Sequence, residues 1–430
     1  MSRGSDATGA KRQASAEVPR RCRPRRRLTP ARKCLDKAGA AVPRQPVFPM
    51  TRPPRLLFVV TEDWFFVSHF LSVAVAARAA GFEVAVTVRV RDPALARRIE
   101  AEGVRVIPSG HERGHFGPLA MVGHARAFAR LFRAERPDIV HLVSVRIIVL
   151  AGLGALIAGV PRRVQAVTGL GLLGASRTLT ARLARRALSA LLRGPLGGRR
   201  AHFVFENRED PARLGLDPDG PRVTVVGGAG IDPARERAQP LPPMPPLRAA
   251  LVARMVHSKG VDVAVEALRR ARAAGAPVAL SLYGAPDPEN PRAVTEDQLR
   301  RWSQEPGIAW HGHARDIGAV WRSHHVVLVP SRGGEGLPRA LLEGAAAARA
   351  VVTTATPGCA TFARDGIEGF VVPPDDPEAL ADALVTLAHD PALVERFAVA
   401  ARARVLDGFT TARVAADFVA VYRGLAGVGA

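Results

Sequence analysis

Four side chains in the second half of the chain have the types and placing that phosphate and hydroxyl chemistry needs: Arg254, Lys259, Glu335 and Glu343. The chain carries 61 Lys and Arg, yet after residue 37 every basic residue is arginine except Lys259. An ammonium is a compact point charge that can follow the oxygens of a diphosphate, whereas a guanidinium is a planar fork. Chance could also leave one lysine in so arginine-rich a chain. Glu335 and Glu343 are eight residues apart, roughly 12 Å of rise if that stretch is helical. Two hydroxyl acceptors at that spacing, with cations between them, suit a sugar and a ribose at the two ends of a diphosphate. From spacing alone, a helix-capping Glu335 and an arginine-paired Glu343 explain the pair equally well.

Something must hold these residues where strands run out. From Arg55 onward, β-rich runs ("RLLFVV", "EVAVTV", "VRVI", "DIVHLV", "RVQAVT", "HFVF", "RVTVV") alternate with helical patterns such as "FLSVAVAARAAG". Such alternation predicts a parallel sheet covered by helices on both faces. The segment at residues 232–248 carries six prolines and reads as a linker, after which the alternation restarts with "AALVAR". Two doubly wound, Rossmann-like α/β domains joined by a hinge account for the body of the chain. In open parallel sheets ligands bind beyond the carboxyl ends of the strands. Arg254 closes one strand, and Lys259 follows just before Gly260 and a helix. "VVLVPS" ends at Ser331 and opens into "RGGEGLPRALLEG". Free N–H groups and a helix dipole at such places attract anions.

Composition excludes several classes. No run of 18 apolar residues occurs, so no membrane-spanning helix is expected; "IIVLAGLGALIAGV" reads as a buried helix. Three cysteines without pairing or metal-ligand spacing fit a reducing cytosol and no disulfide scaffold. The net charge of +22 is uneven, because residues 1–49 hold 13 Lys and Arg against 3 Asp and Glu. That stretch lacks apolar periodicity and is expected to be disordered. Met50 opens "MTRPPRLLFVV" and reads as the true start, the first 49 residues then being a gene-model extension. A basic tail that touches nucleic acid or membrane is the alternative. Nucleic-acid binding needs aromatics interleaved with a basic stripe, and the chain is 5% aromatic, so no nucleic-acid partner is expected.

"ARMVHSKGVDVAVEAL", "WHGHARDIGAVWRSHHVVLVPS" and "EGLPRALLEGAAAARAVVTT" closely resemble glycosyltransferase family 4, of the two-domain GT-B architecture. The resemblance runs through "GFVVPPDDPEALADAL" and covers residues 55 to 425. It implies an acceptor-binding domain at 50–231, a linker at 232–248 and a nucleotide-sugar domain at 249–405. A C-terminal helix at 406–430 is expected to pack back toward the first domain.

The family's motif of two glutamates separated by seven residues falls on Glu335 and Glu343, and its diphosphate-gripping arginine and lysine match Arg254 and Lys259. The implied reaction is transfer from a nucleotide-sugar, UDP-linked, with retention at the anomeric carbon. The leaving diphosphate oxygen itself accepts the acceptor's proton. Glu335 would hold sugar hydroxyls, Gly336 and Leu337 would lend backbone N–H groups, and Glu343 would hold the ribose. No cofactor and no metal is implied, the cations taking that role.

The first domain is expected to choose the acceptor. "EDWFFVSHF", "VTGLG" (167–171) and "VFENREDPARLGL" (204–216) resemble a branch acting on polyprenyl-diphosphate-linked saccharides in cell-surface glycan assembly. Many relatives carry a glycine pair after the first strand; this chain has none. His69, Thr168 and Gly169 are the acceptor candidates, with helix-start packing beside a Ser68 cap as the other reading of His69. Trp64, Phe65 and Phe66 read either as core or as a lipid-facing edge. A soluble transferase acting on a free small-molecule acceptor is the rival within the enzyme class.

Residues 139–205 contain ten arginines and no acid. Arg182, Arg185, Arg186 and Arg193 there sit among regularly spaced Leu and Ala. That pattern reads either as a solvated face or as a helix lying on an anionic membrane surface. The lipid-linked acceptor favours the second, and with it a cytoplasmic protein on the inner face of the membrane. "GLGLLG" (169–174) satisfies a dinucleotide pattern, but no acid follows about 20 residues on, as that reading requires. "DPD" (217–219) reads as a turn. His311 and His313, and the pair His324 and His325, show no completing metal ligands and read as strand-edge and surface residues.

Overall fold

The computed structural model describes residues 52–110, 117–176, 178–288 and 290–427. The basic N-terminal stretch and Met50 lie outside them. The first sheet comprises β1 (Arg55–Glu62), β2 (Glu83–Arg89), β3 (Arg105–Pro108), β4 (Ile139–Val143), β5 (Arg162–Val167), β6 (Ala201–Phe205) and β7 (Val223–Val225). The second comprises β8 (Leu247–Val252), β9 (Val278–Tyr283), β10 (Ile308–Trp310), β11 (Val326–Val329), β12 (Ala350–Thr354) and β13 (Gly369–Val372).

Strand order is β3-β2-β1-β4-β5-β6-β7 in one sheet and β10-β9-β8-β11-β12-β13 in the other. Every neighbouring pair is parallel; Leu57, for instance, lies beside Ala85 on one side and Val140 on the other. Strands of this kind are buried on both faces, so they read as continuous apolar runs. β4 and β12 are buried along their whole length. Both sheets are doubly wound, with the order reversing between β1 and β4 and between β8 and β11, where ligand crevices form.

The helix Val145–Ala158 contains the apolar run and buries seven residues beside the first sheet. No helix among the described residues is long and apolar enough to cross a membrane. The last helix, Thr411–Ala426, lies on the first sheet. Its Phe418 and Tyr422 pack around Phe58, Phe70 and His141, and Tyr422 Oη is 2.7 Å from His141 Nδ1.

The proline-rich segment is not a loose hinge. The Arg349 guanidinium, fully buried, donates to Gln239 O at 2.6 Å and Pro240 O at 2.9 Å. β8 begins at Leu247, inside the segment's last residues. His324 and His325 are buried, contrary to the surface reading. His325 accepts the Arg248 N–H at 2.9 Å and lies 3.0 Å from Pro242 O, so the linker itself covers it. His311 stacks on Tyr283 at 4.6 Å. No group of three or more His, Cys, Asp or Glu among the described residues could hold a metal ion.

Candidate active site

The loops after β8 and β11 meet at the reversal point of the second sheet. After β8 a single 3-10 turn, His257–Lys259, carries Lys259 to the mouth of the helix Val261–Ala273. Gly260 makes that turn with φ +68°, and a Cβ there would lie 1.9 Å from Pro330 O. Only glycine joins the two loops this closely. The Lys259 ammonium forms a salt bridge with Glu335, whose other oxygen accepts from the Ser331 hydroxyl.

The glycine-rich loop runs to Pro338, and its helix begins only at Arg339. Glu343 is therefore one turn into a helix. The expected helical rise between the glutamates does not apply, because half of that interval is loop. Glu343 pairs with Arg339 at 2.7 Å, and Arg339 also donates to Ser68 O in the first domain. Burial pushes the Glu343 carboxyl up, while Arg339 opposes the shift. The arginine-paired reading of Glu343 describes what is seen.

A cavity of about 340 Å³ lies between the two sheets. Arg254, Lys259, Glu335, Gly336 and Leu337 line it from one side, and His69 and Thr168 from the other. Glu343 instead faces an adjoining space of about 700 Å³, which shares Arg254 with the first and also holds Tyr283 and Asp287. Arg254 is paired there with Asp287 at 2.7 Å. Gly169 lines neither space. A Cβ on it would lie 2.5 Å from Gly336 N, so its role is to let the domains touch. Gly171 N–H donates to Gly334 O at 2.5 Å and Gly336 N–H to Thr168 O at 3.2 Å. The "GLGLLG" stretch is thus an inter-domain contact.

His69 closes the helix Asp63–His69, so Ser68 is no helix-start cap. The Ser68 hydroxyl donates back to Phe65 O at 3.2 Å and lies 2.7 Å from His69 Nδ1. Phe65 stacks on the His69 ring at 4.1 Å. Burial, helped by the Arg339 cation, lowers the imidazole to about 3, so His69 is neutral at ordinary pH. Phe66 is core, whereas Trp64 is 44% exposed at the cleft edge.

Sequence reasoning missed Glu206, Asp287 and Arg339. Glu206 directly follows β6, and the end-of-strand rule that found Arg254 would have found it too. Its carboxylate accepts the Leu337 N–H at 2.8 Å. The two backbone donors expected for a sugar, on Gly336 and Leu337, are therefore both engaged by the first domain.

The comparisons follow this division of the chain. Residues 55–194 match the family described as "Glycosyl transferase 4-like" and residues 247–390 match "Glycosyl transferases group 1". A phosphatidyl-myo-inositol mannosyltransferase of Mycobacterium leprae is 35% identical over 177 residues, 40% of this chain and 44% of that protein. The putative colanic acid biosynthesis glycosyltransferase WcaL of Salmonella typhimurium is 31% identical over 199 residues, 44% of this chain and 48% of that protein. These matches span about half the length of each of those curated relatives. Anabaena HepE, solved with UDP and glucose, superposes with TM-score 0.65 at 16% identity, covering 85% of this chain and 98% of that one. At that identity the likeness speaks for the architecture alone, which is GT-B. With both halves matched and the sheets so arranged, the chain belongs to the group 1, family 4 glycosyltransferases.

Proposed function

We propose that the chain transfers a sugar, with retention, from a nucleotide-sugar (UDP-linked) to a polyprenyl-diphosphate-linked saccharide. The observation that carries this reading is the convergence of Arg254, Lys259 and Glu335 on one cavity at the β8/β11 crevice. Two cations and a carboxylate in a half-buried cleft can hold a diphosphate and a hexose together. The departing diphosphate takes the electron pair of the C1–O bond and accepts the acceptor's hydroxyl proton, while the acceptor oxygen bonds to C1 on the same face. Arg254 and Lys259 stabilise the charge that develops on the leaving group. On binding, sugar hydroxyls would replace Lys259 at Glu335, and the diphosphate would replace Asp287 at Arg254. Glu343 and Arg339 would meet the ribose, and His69 and Thr168 the acceptor.

The lipid-linked acceptor is supported by the helix Leu179–Arg193. It exposes Leu179 by 68% and Leu183 by 62% of their surfaces, beside exposed Arg182, Arg186 and Arg193. Apolar residues flanked by arginines suit an anionic lipid surface, which would place the enzyme peripherally on a membrane. The test is a panel of nucleotide-sugars assayed with and without a polyprenyl-diphosphate saccharide, with product configuration read by proton NMR. Transfer to free saccharides only would overturn the lipid-linked acceptor. No turnover of any nucleotide-sugar would overturn the reaction.

A further inference from the structure

Glu206 is a buried acid that the proposed chemistry leaves unused. It is 8% exposed and lines the same cavity as Lys259 and Glu335. Its one hydrogen bond among the described residues crosses between domains, to the N–H of Leu337, 131 residues further along the chain. The approach is close: a Cβ on Gly336 would lie 2.0 Å from the Glu206 carboxylate oxygen. Leu337 follows Glu335 by two residues, so whatever holds Leu337 also sets the loop that carries Glu335.

We propose that Glu206 is a positioning residue of this site: it seats the Glu335 loop against the first domain through Leu337, and the charge on its carboxyl sets how firmly the cleft is shut before donor enters. The contact stands on its own geometry, and its consequence for donor entry rests on the glycosyltransferase reading.

The direction of the charge effect follows from what surrounds the group. Burial pushes the Glu206 carboxyl up to about 7, with Asp210 and Glu335 pushing the same way and the Leu337 N–H opposing. Asp210 is held by Asn207 at 2.9 Å, and Glu335 is paired with Lys259. His69, on the same first-domain wall, is neutral, and Arg339 is directed to Ser68 O and Glu343. In an opened cleft water reaches Glu206, and its carboxyl returns toward the ordinary 4.5. The shut form therefore binds a proton that the open form releases. Shutting is favoured in acid, weakens as pH rises from 4.5 to about 7, and is independent of pH above that.

Amide hydrogen exchange over residues 333–340 of the full, ligand-free chain, corrected for intrinsic chemistry, reads this directly. In the wild type, protection at pH 6 should exceed that at pH 8 by about tenfold, one proton over one pH unit below the raised pKa. Glu206→Gln keeps an acceptor for Leu337 N–H, so the loop should stay protected and the pH step should vanish. Glu206→Ala should raise exchange at Leu337 by tenfold or more. The affinity for UDP, measured by calorimetry, should change differently between pH 6 and pH 8 in the wild type and in Glu206→Gln, the titration of UDP's own terminal phosphate being common to both. A wild-type loop with no pH step, or a step that survives in Glu206→Gln, overturns the proposal. Should the alanine variant not fold, the glutamine variant decides. Failure of UDP to bind at all counts against the glycosyltransferase reading, and the exchange result still judges Glu206.

Discussion

The guanidinium of Arg254, which lines one cavity with Lys259, lies 2.7 Å from the Asp287 carboxylate in the adjoining space. Both proposed diphosphate cations are thus engaged by acids. Arg254→Ala or Lys259→Ala should lower turnover by about two to three orders of magnitude, the scale of losing one preorganised electrostatic stabiliser. Asp287→Asn, which releases Arg254, should tighten UDP binding. Steady-state rates and calorimetry check these, and near-normal turnover in either alanine variant removes the proposed mechanism.

The basic helix Leu179–Arg193 gives a second prediction. Arg185 donates to Ser176 O at 2.9 Å and belongs to the fold, so the test spares it. Replacing Arg182, Arg186 and Arg193 by Gln should weaken binding to anionic vesicles by on the order of 3 kcal/mol, about 1 per arginine. Added salt should release the wild type in the same way. Vesicle sedimentation of the triple variant beside the wild type decides it; equal sedimentation makes the helix a solvated face.

Tyr422→Phe tests the last helix. It deletes the hydroxyl 2.7 Å from His141 Nδ1 in a fully buried setting. A buried polar group left without its partner costs about 1–3 kcal/mol. Denaturant unfolding should show that loss, and activity at 25 °C should change little, since the site is elsewhere.

Two histidines predict an acid limit. Burial lowers both His69 and His141 to about 3 from the ordinary 6.5. The unfolded chain binds their protons first, so stability falls as pH drops through the window from 6.5 toward 3. Glu206, raised to about 7, runs the other way above 4.5 and offsets part of that slope. Unfolding free energies from pH 4 to pH 7 should have a smaller slope in His141→Gln than in the wild type, by up to about 1.4 kcal/mol per pH unit. An unchanged slope would mean that His141 titrates normally in the fold.

Local pattern carried the sheets. "RLLFVV" and "AVVTT" are continuous apolar or β-branched runs because both their faces are covered, and they became β1 and β12. The end-of-strand rule likewise carried Arg254, Lys259 and Glu335 to one cavity. What stayed illegible came from packing between distant segments. The burial of His325 depends on a carbonyl 83 residues away. The interval from Glu335 to Glu343 is open to a wholly helical reading because nothing in "RGGEGLPRALLEG" marks where loop gives way to helix except Pro338, which the eight-residue interval passes over. Glu206 had no visible purpose because its partner lies in the other domain.

The path of the chain between domains has a last consequence. Ile231, on the outward crossing, pairs with Thr410 on the return crossing: Ile231 N–H donates to Phe409 O and Thr411 N–H to Ile231 O, both at 2.9 Å. The second sheet is thus an insert whose two ends leave and re-enter the first domain side by side. Cutting one strand of the chain in the proline-rich segment would leave the halves fastened by the other, so a nicked protein should still migrate as one particle until denatured. For the same reason the second domain has the topology of a cassette, removable or exchangeable between two junctions that already lie in contact.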